Sequence, residues 1–443
     1  MQKLGFFGTL SLVVGNIIGV GIFTTTGYMA GYIQSPFWML AAWGFGALYA
    51  ISGAIVYGVL AARYPFSGGD YQYLSRSIHP AGGYLFGWSA FFVTYSGSIA
   101  ALSIAGAYYL NGLFPAYSFD QNIVSATIGG WPVNFSYLKL VAILLIAVFT
   151  WINYRGIVLS GTSQIILTVG IFLLLVGFSL LGTVSTAADV NNLQIDNGVK
   201  DGVSGFLTAL IAVLFAYIGW TTAVYVAEEI GEARRILPKA LLIGVLVVAF
   251  IYQWVNLVYM LAIPLSEMTD IVNIGSKAAV RLWGENGQFL ISGLILVAVL
   301  SSLNSTVLSG PRIYMAMGRD GFLAGKPQKL HPRFGAPYVA IIWQAIWSII
   351  LVISGSFNEL LSFVVFVVIL FSMAAGWISL KLTIRHNPLK ILPLTGSLFY
   401  LLFCFIILIN TLMQKPAEAL IGLFIVALAI PFYLLERKRH RMA

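Results

Sequence analysis

A chain of 443 residues that is 59% hydrophobic and only 9% charged, with a mean hydropathy of +0.92, carries more apolar surface than a soluble core of that length can hide. The composition excludes an ordinary soluble domain and reads as an all-α, polytopic membrane protein. The net charge of +9 would suggest nucleic acid in a soluble protein; here the placement of the basic residues accounts for it.

Twelve apolar segments follow one another, at about 7–33, 36–62, 81–113, 136–154, 162–185, 203–229, 238–263, 286–317, 338–354, 358–380, 393–413 and 418–435. The first is too long for a removed signal peptide and lacks a small-residue cleavage site. At its centre stands Gly15-Asn16-Ile17-Ile18-Gly19-Val20-Gly21-Ile22-Phe23. Three glycines in seven residues weaken a helix, and unwound backbone survives in a bilayer only around a protein-lined or wet cavity. The segment therefore reads as a helix broken at Gly19-Val20-Gly21, with bare amides and carbonyls that suit a small zwitterion. The competing reading makes Gly15 and Gly19 a close-packing seam between helices. The third segment is long and should tilt, and a short amphipathic helix is expected on the outer side at 273–283.

With the N-terminus inside, all Lys and Arg except Lys139, Lys200, Lys277, Arg281 and Lys415 fall on the inner side. That bias fixes both termini in the cytoplasm. The sixth segment repeats the interruption of the first, in Phe215-Ala216-Tyr217-Ile218-Gly219-Trp220-Thr221-Thr222. Two broken segments five apart are the mark of two inverted five-helix repeats, here 1–185 and 203–380, with 393–435 peripheral. A pseudo-two-fold axis would bring the breaks together at the midplane. Helix N-terminal ends favour a carboxylate there, and free carbonyls an ammonium. The pair suits the common part of an α-amino acid.

At this point the chain resembles the amino acid–polyamine–organocation superfamily, nearest its L-type amino acid transporter branch. The likeness rests on Gly15 to Phe23, on Pro65-Phe66-Ser67-Gly68-Gly69-Asp70-Tyr71 with Gly87-Trp88, and on Phe215 to Trp220 with Glu228-Glu229 and Leu237-Pro238. It continues through Arg312 with Met317-Gly318-Arg319-Asp320-Gly321, and Gly335-Ala336-Pro337. It spans about segments 1 to 10. The resemblance implies a leucine-transporter-like fold of twelve spans with helices 1 and 6 broken. It implies a substrate carboxylate on the amides of Val20, Gly21 and Ile22 beside Gly19. The ammonium would meet the carbonyls of Ile17 or Ile18 and of Phe215 and Ile218, with Ala216, Gly219 and Thr221 lining the site. Phe215 matches the lid that closes over substrate from outside and Trp220 an aromatic beside the site, both as gating residues; ordinary helix packing is the competing reading.

Departures from the family pattern matter as much. Asn16 and Val20 stand where Ser or Thr is frequent, and Thr221 where L-type members often carry Asn. After Gln164 and Thr168, Ile171 replaces a lysine found in many proton-coupled and exchanging relatives. The place so vacated could hold sodium between the carbonyls of Gly15 and Ile18 and the hydroxyls of Ser301 and Ser302. Residues 113–137 contain no cysteine, so the disulfide-linked accessory subunit of heteromeric relatives is not expected. Cys404, the single cysteine, reads as packing.

Charged residues deep in the segments are nearly absent, which disfavours a proton relay and a cationic substrate side chain. Glu228 and Glu229 read as a solvated helix end, with an inner gate to Arg76 or Arg319 as the alternative. Signatures of enzymes, nucleotide loops and metal sites are missing. The four histidines, His79, His331, His386 and His440, fall in loops or the tail. The expectation is a permease or exchanger of neutral amino acids at the cell membrane, needing no cofactor. A sodium symporter is the alternative within the class; a non-transporting amino acid sensor or a channel is the alternative outside it.

Overall fold

The computed structural model describes residues 3–114, 117–119, 121–128, 131–269, 271, 273–323, 325–354, 357–386, 390–414 and 416–442; for 126–128, 131–134, 215, 357–365, 414, 418 and 438–442 the backbone alone is described. The first apolar segment is two helices, α1 (Phe6–Ile17) and α2 (Gly21–Met29). α1 stops because Ile18 leaves the helical region at φ −73°, ψ 94°. α3 (Pro36–Arg63) opens with the Ser35 hydroxyl accepting the Trp38 amide and Pro36 in the first turn, both standard helix starts. α4 (Asp70–Ser77) and α5 (Pro80–Ser89) follow, and a π turn at Ala90–Thr94 leads into α6 (Tyr95–Leu113).

Strands β1 (Asn122–Ile128) and β2 (Trp131–Ser136) pair antiparallel before α7 (Tyr137–Tyr154). The hairpin was not expected, although alternating apolar residues around Gly129-Gly130 are a turn signal. α8 (Ile157–Thr183), α9 (Gly202–Ala216), α10 (Thr222–Tyr225) and α11 (Ala233–Ala262) come next. α12 (Ile274–Trp283) is the expected short helix, with the Asn273 side chain capping Ser276 at 3.1 Å. α13 (Glu285–Arg319), α14 (Tyr338–Ser354), α15 (Phe357–His386), α16 (Ile391–Gln414) and α17 (Pro416–Met442) complete the chain.

Among the described residues ten helices are long and apolar enough to cross a membrane, and Gly202–Leu214 and Tyr338–Ser354 are shorter apolar helices. The protein is thus a multi-pass membrane protein, its helices following the twelve apolar segments in order. α13 lies at the centre, with 72% of its apolar window buried, whereas α7 and α17 bury only 22% of theirs. That gradient places α1, α3, α11 and α13 inside and leaves α7 and α17 with wide apolar outer faces, as a lipid solvent requires.

Candidate functional site

Regular helix lapses at 18–20, between α1 and α2, and at 217–221, between α9 and α10. After the Ile18 amide bonds to the Val14 carbonyl at 3.0 Å, the next backbone bond joins Phe23 to Val20. The amides of Gly21 and Ile22 open α2 ahead of any i−4 acceptor, and that of Val20 has no partner among the described backbone groups. Three donors at a helix N-terminus are an anion cradle. The two expected glycines differ. A Cβ on Gly19 would meet only the Ser302 hydroxyl, at 3.5 Å, whereas one on Gly21 would lie 2.8 Å from the Ala216 Cβ. Gly19 borders open space; Gly21 is a close-packing position.

The second interruption covers 217–221, between α9 and α10. Gly219 takes φ +136°, and a Cβ there would lie 2.4 Å from the Asn16 carbonyl oxygen. Only glycine allows this conformation together with that backbone approach. Ile218 and Thr221 are half-buried, and Ala216 packs on Gly21. The Phe215 ring lies outside the described side chains. Trp220 is 2% exposed, with its edge on Tyr49 at 5.3 Å and its ring against Gly53 of α3. In this structure it is a packing residue. Tyr252 of α11 donates its hydroxyl to the Ile17 carbonyl at 2.9 Å and to that of Ala216 at 3.5 Å, so the Ile17 carbonyl is already engaged.

Where a cation was considered, neutral donors crowd in. The Gln164 amide nitrogen donates to Ser301 Oγ at 2.9 Å, Thr168 Oγ1 at 3.2 Å and the Ser11 carbonyl at 3.4 Å. Its orientation is fixed by Asn304, whose amide donates to Gln164 Oε1 at 2.8 Å. Ser302 Oγ donates to both Gly15 and Ile18 carbonyls at 3.3 Å. Ile171, three residues beyond Thr168, is fully buried. Ser302 thus meets the Gly15 and Ile18 carbonyls, but the Gln164 N–H points at Ser301, which does not suit that hydroxyl as a ligand of a small cation.

The sequence pattern of the family described as amino acid permease matches residues 4–434. The chain belongs to that family. The serine/threonine exchanger SteT of Bacillus subtilis is 27% identical to this permease, covering 99% of this chain and 97% of its own length. The large neutral amino acids transporter small subunit 2 of Homo sapiens is 26% identical, over 98% and 80%. The Asc-type amino acid transporter 1 of Mus musculus is 26% identical, over 98% and 81% of the two lengths. The likeness to the L-type branch thus runs past the tenth segment, and the family and its relatives are transporters rather than enzymes.

Beyond the second break, the permease is tied together by charges that the sequence reading undervalued. Arg312, with no side-chain exposure, donates from Nε and Nη2 to Glu229 at 2.8 and 3.0 Å. Arg319 pairs with Glu228 at 2.7 Å. Glu229 is therefore no solvated helix end. Arg76 instead bonds Gln72 and lies over the Phe66 ring. The N-terminal residues join the same cluster: the Leu4 amide bonds the Glu229 carbonyl, and Gly231 bonds back to Leu4.

Asp70, at the start of α4, was not singled out for any role of its own. It is 3% exposed and accepts hydrogen bonds from Tyr57 at 2.8 Å and from Tyr225. Burial pushes its carboxyl up to about 6, against the two tyrosines, which pull it down. A carboxyl whose pKa is raised on folding adds stability at pH values below its unfolded value, about 3.9. That contribution fades as pH rises through the folded value. Asp70→Asn cannot ionise. Its thermal midpoint should therefore rise relative to wild type between about pH 4 and pH 6 and hold a constant offset above about pH 7. Parallel curves for the two proteins over pH 4.5–7.5 would contradict the burial of an ionisable group here.

Proposed function

We propose that the permease exchanges neutral amino acids across the cell membrane by alternating access. The observation that carries this is the set of Val20, Gly21 and Ile22 amides opening α2 beside the second interruption. Stretches 15–23 and 215–222 contain no charged residue. The amides would take the carboxylate, and the Ile18 and Ile218 carbonyls the ammonium. A neutral substrate side chain would face Ile218 and Thr221, with Phe215 as the lid. The printed names of the relatives, a serine/threonine exchanger and a large neutral amino acids transporter, support the substrate class.

In this reading the fold is leucine-transporter-like, with twelve spans. Repeats 1–185 and 203–380 are related by inversion, α16 and α17 are peripheral, and both ends are cytoplasmic. Exchange is favoured over sodium symport because the Gln164 amide lies against Gly15 and donates to Ser301, turning a proton toward one of the four expected ligands. Proteoliposomes test this. Uptake of labelled L-serine or L-leucine at constant pH should require amino acid inside and should be unchanged when choline replaces sodium. A steep sodium dependence, lost in Ser301→Ala, would overturn exchange in favour of symport.

A further inference from the structure

Asn16 is the residue of α1 that reaches the other interruption. Its Nδ2 donates to the Gly219 carbonyl at 3.0 Å and to Thr222 Oγ1. Thr222 in turn donates to the same Gly219 carbonyl at 3.0 Å, and Thr306 of α13 donates to Asn16 Oδ1 at 3.4 Å. One side-chain amide therefore joins the end of α1, the 217–222 stretch and α13. A hydroxyl at position 16 has one proton to give; the amide has two, enough to hold a carbonyl and a hydroxyl together. The crossing is close, since a Cβ on Gly219 would sit 2.4 Å from the Asn16 carbonyl oxygen. The Tyr252 hydroxyl makes a second tie, to the carbonyls of Ile17 and Ala216.

We infer that Asn16 is a positioning residue: it straps the two unwound stretches together through Thr222 and the Gly219 carbonyl, and so holds the carboxylate-binding amides and the ammonium-binding carbonyls in one fixed arrangement. The inference rests on reading the two stretches as the amino acid site. Unwound backbone lacks the ladder that makes a helix rigid. Without the strap the two stretches would have to be ordered by the substrate itself, and that cost is drawn from binding. The strap acts before translocation, so its loss falls on the apparent affinity. It also engages the Gly219 carbonyl, as Tyr252 engages that of Ile17; the Ile18 carbonyl, which accepts from Ser302 at 3.3 Å, keeps a second lone pair for the ammonium beside that of Ile218.

The test is a double-mutant cycle in proteoliposomes, measuring KM and Vmax for exchange of L-serine and L-leucine. Thermal midpoints of the substrate-free protein are taken alongside. Asn16→Ala and Thr222→Val should each raise KM about tenfold, the size of one hydrogen bond at the strong end of its range, with Vmax changed less. The double variant should be no worse than the more affected single one, because both remove one link. Thr222→Ser keeps the hydroxyl and should behave as wild type, and the reciprocal pair Asn16→Thr with Thr222→Asn should recover most of the affinity. A double variant with KM raised about a hundredfold, the additive result, would overturn the strap. So would a fall confined to Vmax, or a Thr222→Ser variant as impaired as Thr222→Val. If wild type exchanges no amino acid, the functional reading fails instead. The bond is then judged on the substrate-free midpoints, where additive losses in the cycle refute it and non-additive losses uphold it.

Discussion

Replacing Gly19 with leucine should abolish amino acid binding and leave a folded permease. A Cβ at this position meets a single atom within 4 Å, the Ser302 hydroxyl oxygen at 3.5 Å. Gly19 is also absent from the glycines with positive φ, so a side chain brings no backbone strain. In the proposed site the leucine would take up space in front of the Val20–Ile22 amides, where the carboxylate would bind, and would exclude it as a matter of volume. An affinity loss of more than about a hundredfold is expected, since neither the amide contacts nor the desolvated pocket would remain. The thermal midpoint without substrate should stay near wild type. Gly21→Leu gives the contrast. Its Cβ would lie 2.8 Å from the Ala216 Cβ and 2.9 Å from the Ala216 Cα, so α2 would have to shift, and loss of the folded protein is expected. A folded Gly19→Leu variant that binds L-serine and L-leucine normally would remove the site from this interruption.

The interruptions were legible because glycine and bilayer length act locally. Clustered glycines in a spanning run weaken the helix wherever they occur, and the same signal recurs in the sixth segment. Partners across the fold were not legible. Gln164 and Thr168 could be seen as one helix face, but not that both reach the Ser11 carbonyl of α1. The contacts of Trp220 were not legible either, since a ring next to Gly219 turns either way until Tyr49 and Gly53 receive it. Asp70 looked like a loop acid. Its burial depends on Gly68 at φ +109° and Gly69 at φ +49° turning the chain inward, a backbone choice that Gly-Gly permits without announcing. Arg312 stood in plain view beside Pro311, but its partner is 83 residues away.

That partnership has an asymmetry with a measurable consequence. The Arg312 side chain is fully buried, whereas Glu229 keeps 23% of its side chain exposed. Removing the acid therefore strands a guanidinium whose remaining bond is to the Leu308 carbonyl, at 2.6 Å. Removing the base leaves a carboxylate that water can still reach. Glu229→Leu should thus cost about 3–5 kcal/mol of stability, the usual penalty for an uncompensated buried charge. Arg312→Met should cost less, about 1–3 kcal/mol, the loss of charge-assisted hydrogen bonds from a group that can rehydrate. Combining the two replaces the pair by apolar volume and should recover much of the Glu229→Leu loss. The Arg319–Glu228 pair, with side chains 40% and 35% exposed, is the control: Glu228→Gln should cost no more than about 1 kcal/mol. Denaturant unfolding in detergent reads all four. Equal losses for Glu229→Leu and Arg312→Met, or no recovery in the combination, would show that desolvation of Arg312 does not govern this end of the permease.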